Sequence, residues 1–362
     1  MFGFDTAVIS GAIVFLRQDF RLTDSQTEIA ASSLLAGCLL GSAIAGMLAD
    51  RFGRKRNLIA AAVLFSVSSI WTTLPRFPDE FRLARAVAGV AIGVAPVLAA
   101  MYIAEISPPA SRGRLVTLNQ MTIVSGILLS YLINWLLSGF GQNSWRWVFA
   151  TAAVPSLAFF LALWFIPESP RWLVSRGRTT EARAILQRIS GATAAEGELS
   201  EIRASLAEES GLYRELLEPR LRKLLLIAVC FAILSQVTGV NTVICYGSVL
   251  FKEHGGRAAA SDALGANVLI GGVNFLCTIL AISLIDKAGR KPLLLAGTAG
   301  MGVSLLAVAA AFRADPRPAE LVLCGVLVYV AFFAVSLGAG AWCISRSSSP
   351  PPCAAARCRL AR

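Results

Sequence analysis

Asp5 stands in the apolar run 2–16, and Arg85 stands near the start of another, 83–106. An ionised side chain in hydrocarbon is costly, so a carboxylate there marks a functional site and needs a partner. Arg85 is the natural partner of Asp5. Burial and a neighbouring guanidinium act on a carboxyl group in opposite directions. A carboxylate that alternates between those surroundings takes up and releases a proton. The alternative is a static ion pair that only orients two helices.

Neutral amides occupy other apolar runs: Gln120 in 115–137, Gln236 and Asn241 in 224–250, and Asn274 in 264–285. An amide both donates and accepts hydrogen bonds and carries no net charge to desolvate. Trp342, in 321–344, adds an aromatic face. Hydrogen bonding between helices is the competing role, worth roughly 0.6 kcal/mol per contact. Asn119 and Asn134 read as packing or interfacial residues. A second constellation, Asp50, Arg54, Glu105, Arg112, Glu168, Arg171, Asp286 and Arg290, falls at the ends of the runs. As isolated surface pairs these would contribute about 0–1 kcal/mol each.

The elements that must position these groups are membrane helices. Of 362 residues, 56% are hydrophobic and 15% charged, and the mean hydropathy is +0.67. Soluble domains carry about 25% charged residues. Ten apolar runs stand out: 2–16, 29–49, 58–74, 83–106, 115–137, 148–166, 224–250, 264–285, 293–312 and 321–344. A span needs roughly 20 apolar residues, so the first is short. The basic loops holding Arg51, Arg54, Lys55 and Arg56, then Arg112 and Arg114, then Lys287, Arg290 and Lys291 follow even-numbered runs. The positive-inside rule puts those loops, and both termini, in the cytoplasm. The net charge of +11 belongs to these loops and not to a nucleic-acid surface.

Enzyme chemistry finds little support. There is one histidine, His254, and no C-x-x-C pair among 8 cysteines, so a metal site is not expected. Cys38, Cys230, Cys245, Cys277 and Cys324 read as small buried hydrophobes. No phosphate-binding loop, Ser-His-Asp order or HExxH is present, and no cofactor is expected. Trp145 and Trp147 read as interfacial anchors. The phenylalanines read mostly as packing or lipid-facing. Gly89 and Gly93 form a small-x-x-x-small face.

Residues 168–223 form a polar stretch with helical periodicity, a cytoplasmic linker of short amphipathic helices. It separates an N-terminal bundle, 1–167, from a C-terminal bundle, 224–345. A repeat supports the division. Asp50-Arg51-Phe52-Gly53-Arg54-Lys55 follows the second run, and Asp286-Lys287-Ala288-Gly289-Arg290-Lys291 follows the eighth. Two copies six runs apart indicate duplicated halves.

With these motifs in order, the chain resembles the sugar porter family of the major facilitator superfamily. Gly3-Phe4-Asp5-Thr6 through Gly11 is similar to that family's first-helix signature. Tyr102-Ile103-Ala104-Glu105 with Arg112-Gly113-Arg114 is similar to the exit from its fourth helix. Pro167-Glu168-Ser169-Pro170-Arg171 is similar to the stretch after helix 6. Gln236, Gly239, Val240 and Asn241 are similar to the helix 7 signature. The resemblance implies an all-α polytopic membrane protein with two pseudo-symmetric helix bundles, about ten of the usual twelve helices being present. It implies a sugar or polyol as solute, a proton as co-substrate bound through Asp5 and Arg85, and uptake by alternating access across a plasma membrane. It places Gln120, Gln236, Asn241, Asn274 and Trp342 on the sugar. It makes the inner charge constellation a cytoplasmic gate that opens for release. An uncoupled facilitator and a non-transporting sugar sensor are the alternatives within the same scaffold.

The chain departs from the family at Ser235 and Cys245, where a glutamine and a tyrosine are usual, which widens the expected pocket. The first run is short, and after Ser345 the sequence turns to Arg346-Ser347-Ser348-Ser349-Pro350. Residues 346–362 read as an out-of-frame or disordered basic tail. By this reading the chain is truncated at both ends and is expected to be an inactive fragment if the tail is real.

Overall fold

A computed structural model describes residues 1–107, 112–141, 143–208, 219–251, 257–288, 290–313 and 319–338. Every regular element among them is helical. Two compact units emerge: Met1–Ser210 with Ile244–Gly271, and Gly211–Val243 with Gly272–Arg362.

In the first unit, α1 (Phe2–Asp19) is buried nearly all round. A helix that is apolar on every side belongs at the centre of a bundle. It ends in a tight turn with Arg21 at φ +50°. Thr23 then opens α2 (Asp24–Phe52) with a reciprocal cap: its hydroxyl accepts from the Gln26 N–H, and its own N–H donates to Gln26 Oε1. α4 (Pro78–Ile106) starts on proline, whose missing N–H costs nothing at that position, with Asp79 and Glu80 in its first turn. Gly37 of α2 lies against Gly89 of α4, and Gly41 against the Val90 backbone. A Cβ on Gly89 would collide with the Leu34 carbonyl, and one on Gly93 with that of Cys38. The small-residue face is therefore used as expected, to bring two backbones together.

Around this pair stand α3 (Arg54–Thr73), α5 (Arg112–Leu137), α6 (Ser144–Thr151) and α7 (Ala153–Phe165). Run 148–166 is thus two helices. Pro155 has no N–H for the Thr151 carbonyl, and its ring crowds that turn, so the helix yields at Ala152. Beyond it come three short helices, α8 (Pro170–Ser175), α9 (Thr179–Ser190) and α10 (Ala192–Glu208), which belong to the first unit. They bury a small core of their own: Trp172, Leu173, Ala182, Leu186, Ala195 and Leu199.

The second unit contains α11 (Pro219–Val237), α14 (Arg290–Arg313) and α15 (Ala319–Phe333), the last continuing into a wide turn, Ala334–Gly338. α12 (Val240–Phe251) and α13 (Arg257–Ala288) contribute residues to both units. Run 224–250, expected as one span, is broken. Gly239 adopts φ +82°, a conformation that glycine takes without penalty. α14 meets α15 through glycines: a Cβ on Gly297 would strike Ser336, and one on Gly300 would meet the Phe332 ring.

Seven helical segments among the described residues are long and apolar enough to cross a membrane. Of the other expected spans, α1 carries Asp5, Arg17 and Asp19, α3 is rich in serine and threonine, and the seventh is the broken one. Both copies of the repeat sit at the same point of the topology. α2 ends at Phe52 and α3 begins at Arg54; α13 ends at Ala288 and α14 begins at Arg290.

Candidate functional site

α1 and α4 bring Asp5 and Arg85 together at the heart of the first unit. Arg85 Nη1 donates to both carboxylate oxygens, at 2.8 and 2.9 Å. The side chains are 1% (Arg85) and 3% (Asp5) exposed. The pair is possible because α1 is buried all round and small residues line the α4 face that carries Arg85, from Ala84 to Gly93. The guanidinium also lies over the Phe149 ring, 5.3 Å from its centroid.

Phe149 belongs to a buried aromatic group with Phe81 and Trp145, in edge-on contacts of 5.5 to 6.4 Å. Trp145 is therefore no interfacial anchor; it is fully buried, and its indole N–H donates to Asp19 Oδ2 at 3.2 Å. A buried tryptophan needs such a partner. Trp147 is exposed, as expected of an anchor.

A polar node missed by sequence reasoning joins α1 to α12 and α13. Ser248 donates through its hydroxyl to the Ser10 carbonyl, and Asn267 Nδ2 donates to Ser10 Oγ at 3.0 Å. Gly247 leaves room for the Asn267 amide. Nearby, Tyr131 donates to the Ile244 carbonyl at 2.9 Å, and the Cys245 thiol faces the Thr6 carbonyl at 3.5 Å. Nothing in the spacing of two serines and an asparagine separates such a node from ordinary helix polarity. Asn134 is a packing residue, as read, donating to the Ser130 and Val8 carbonyls. Asn119 lines a cleft of about 330 Å³ with Met1, Gly3, Pro96 and Phe159.

In the second unit, Asn241 Nδ2 donates to Gln236 Oε1 at 2.7 Å, across the break at Gly239. The break turns two amides five residues apart onto one face. Tyr329 supports it by donating to the Thr238 carbonyl at 2.7 Å. Asn274 is buried on α13. Gln120 is half-buried on α5, in the first unit. Trp342 and His254 lie outside the described residues.

At the end of α2 the charged residues form one connected group. Arg54 Nη2 donates to Glu105 at 2.8 Å, and its Nη1 lies 3.5 Å from Asp50. Ser169 donates to the other Glu105 oxygen at 2.6 Å. Glu168 Oε1 accepts the backbone N–H groups of Arg54, Lys55 and Ser169 at 2.9, 3.0 and 2.9 Å. Trp172 and Arg176 both donate to the Asp50 carbonyl, tying α8 to the end of α2. Arg171 opens α8. The side chains of Arg112, Asp286 and Arg290 lie outside the described residues. The cysteines differ from expectation: Cys230 and Cys324 are on exposed helix faces, and Cys38, Cys245 and Cys277 are half-buried.

Long apolar helices carrying a buried acid–arginine pair, with Asn267 and Asn274 also buried, make a multi-pass membrane protein. The chain belongs to the sugar (and other) transporter family, whose profile matches residues 1–361. It is a transporter of the major facilitator fold and not an enzyme. It is similar to the arabinose-proton symporter of Bacillus subtilis (strain 168), with 38% identity over 349 residues, 94% of this chain and 75% of that one. It is similar to the D-xylose-proton symporter of Escherichia coli (strain K12), with 37% identity over 374 residues and the same shares of each chain. Its structure is similar to the partially occluded, inward-open xylose transporter XylE from E. coli, with a TM-score of 0.86 and 34% identity. That match covers 96% of this chain and 81% of that one.

Proposed function

We propose that this chain carries a sugar or polyol into the cell together with a proton, by alternating access, in the cytoplasmic membrane of a bacterium with both termini inside. The observation that carries the reading is the buried Asp5–Arg85 pair. An arginine does not lose its proton in a protein, so Asp5 is the member that titrates. Ionised, the pair is neutral. Protonated, it leaves one positive charge on the carrier. The proton-loaded step therefore moves charge inward, and a membrane potential assists it by about 2.3 kcal/mol per 100 mV. The empty carrier returns with a neutral pair.

Substrate binding falls to Gln120, Gln236, Asn241, Asn274 and Trp342. The Gln236–Asn241 contact supports this for two of them, since each amide satisfies the other until a hydroxylated ligand exchanges for it. The charged residues Asp50, Arg54, Glu105, Arg112, Glu168, Arg171, Asp286 and Arg290 serve as the cytoplasmic gate, with 1–167 and 224–345 as the two moving bundles and 168–223 as the linker.

The test is uptake of labelled xylose and arabinose into proteoliposomes under an imposed inward proton gradient. Accumulation that collapses with the gradient, and is lost in Asp5→Asn while exchange persists, supports symport. Accumulation that survives in Asp5→Asn overturns it.

A further inference from the structure

We infer that Phe149 is a positioning residue for proton coupling: its ring face receives the Arg85 guanidinium when Asp5 takes up its proton. The inference rests on the symport reading above and adds a residue to it. Once Asp5 is neutral, Arg85 is a buried cation without a counter-charge, which is costly. Its surroundings offer little relief. The Arg85 Nε has no hydrogen-bond partner among the described residues, and Nη2 reaches only the Asp5 carbonyl, at 3.5 Å. Among the described residues, the Phe149 ring lies 5.3 Å from the guanidinium, within the range of a cation–π contact.

The ring is held to face the cation. Phe149 is 1% exposed, and Phe81 and Trp145 meet it edge-on at interplanar angles of 73° and 80°. Arg85 touches Asp5 and the ring at once, and the ring's attraction counts most when Asp5 is neutral and the cation has no counter-charge. Removing the ring therefore disfavours the protonated state, so proton loading requires a more acidic medium.

The Met1 amine acts on Asp5, and the Cys38 and Cys245 thiols of α2 and α12 lie within electrostatic reach of both Asp5 and Arg85. From α6 itself, Arg146 pairs with Asp19 and stacks on Trp145, whereas Arg85 stacks on Phe149. None of these takes the place of the ring.

The experiment measures proton-driven xylose uptake against pH in proteoliposomes, with xylose counterflow as the readout of folding and sugar binding. Phe149→Leu and Phe149→Tyr are compared with the parent, with Phe81→Leu as a packing control. A ring-fluorinated phenylalanine at position 149 keeps the shape and weakens the π face, so it answers even if the leucine variant fails to fold. The expected result is a shift of the uptake midpoint toward acid, by about one pH unit for leucine and part of that for the fluorinated ring. Phe149→Tyr and Phe81→Leu keep the parent midpoint, and counterflow is retained. A parent midpoint with the fluorinated ring, or an equal shift in Phe81→Leu, overturns the inference. Parent uptake without any pH dependence, unchanged in Asp5→Asn, overturns the symport reading instead.

Discussion

Glu168 holds Arg54 by its backbone: Oε1 accepts the Arg54 N–H at 2.9 Å and the neighbouring Lys55 N–H at 3.0 Å. A carboxylate at the first N–H groups of α3 answers donors that the helix leaves unsatisfied and the positive end of its dipole. The Arg54 side chain is then free to reach Glu105 and Asp50. One acid thereby fixes the geometry of a neighbouring ion pair.

Glu168→Ala removes an acceptor shared by three backbone N–H groups, whereas Glu168→Gln keeps an oxygen in place. We expect the alanine variant to lose about 1–3 kcal/mol and the glutamine variant distinctly less. Thermal unfolding of detergent-purified protein, followed by helix signal, ranks the two. Equal losses would count against the capping role.

Gly53 is required by the same contact. It sits at φ +92° and ψ 173°, and a Cβ there would lie 2.6 Å from Glu168 Oε2. That backbone region is essentially confined to glycine, at a cost of about 1–3 kcal/mol for other residues. Gly53→Ala should lower the melting temperature, and Gly46→Ala, where the space is open, should not.

Breaking one side of the buried ion pair should be worse than removing both. Arg85→Leu leaves Asp5 uncompensated, with an expected loss of about 3–5 kcal/mol. Adding Asp5→Asn should restore much of that stability while leaving proton-driven accumulation at zero. The double variant is checked against each single one by melting temperature and by uptake. A double variant less stable than Arg85→Leu alone would be inconsistent with this account.

The Gln236–Asn241 contact predicts a binding defect. Asn241→Ala leaves the Gln236 amide without the partner it has here and, under the proposed function, removes one hydrogen-bonding group from the sugar site. The half-saturation constant for uptake should rise about tenfold, equivalent to one hydrogen bond of about 1.4 kcal/mol. Kinetics at saturating proton gradient separate this from a change in maximal rate, which should move little.

Much of the helical plan was legible in the residues. Apolar runs located the helices, loop charge suggested their direction, and the duplicated Asp50 and Asp286 motifs marked two equivalent helix ends. The Asp5–Arg85 pair was legible too, because a charge in an apolar run must find a partner. What the runs could not tell was which way each residue faces. Lipid and protein interior are about equally apolar, so the hydrophobic pattern that orients a soluble helix is nearly silent in a membrane. Hence Trp145 read as an anchor and is buried against Phe81, while Cys230 and Cys324 read as buried and are exposed. Phe149 was one phenylalanine among 19 until the packing of α6 against α1 and α4 set its ring beside Arg85. The sequence alone determined that this is a helical membrane transporter with a buried acid–arginine pair. The choice of neighbours, and with it the break at Gly239 and the environment of Arg85, was made by tertiary contacts between residues far apart in the chain.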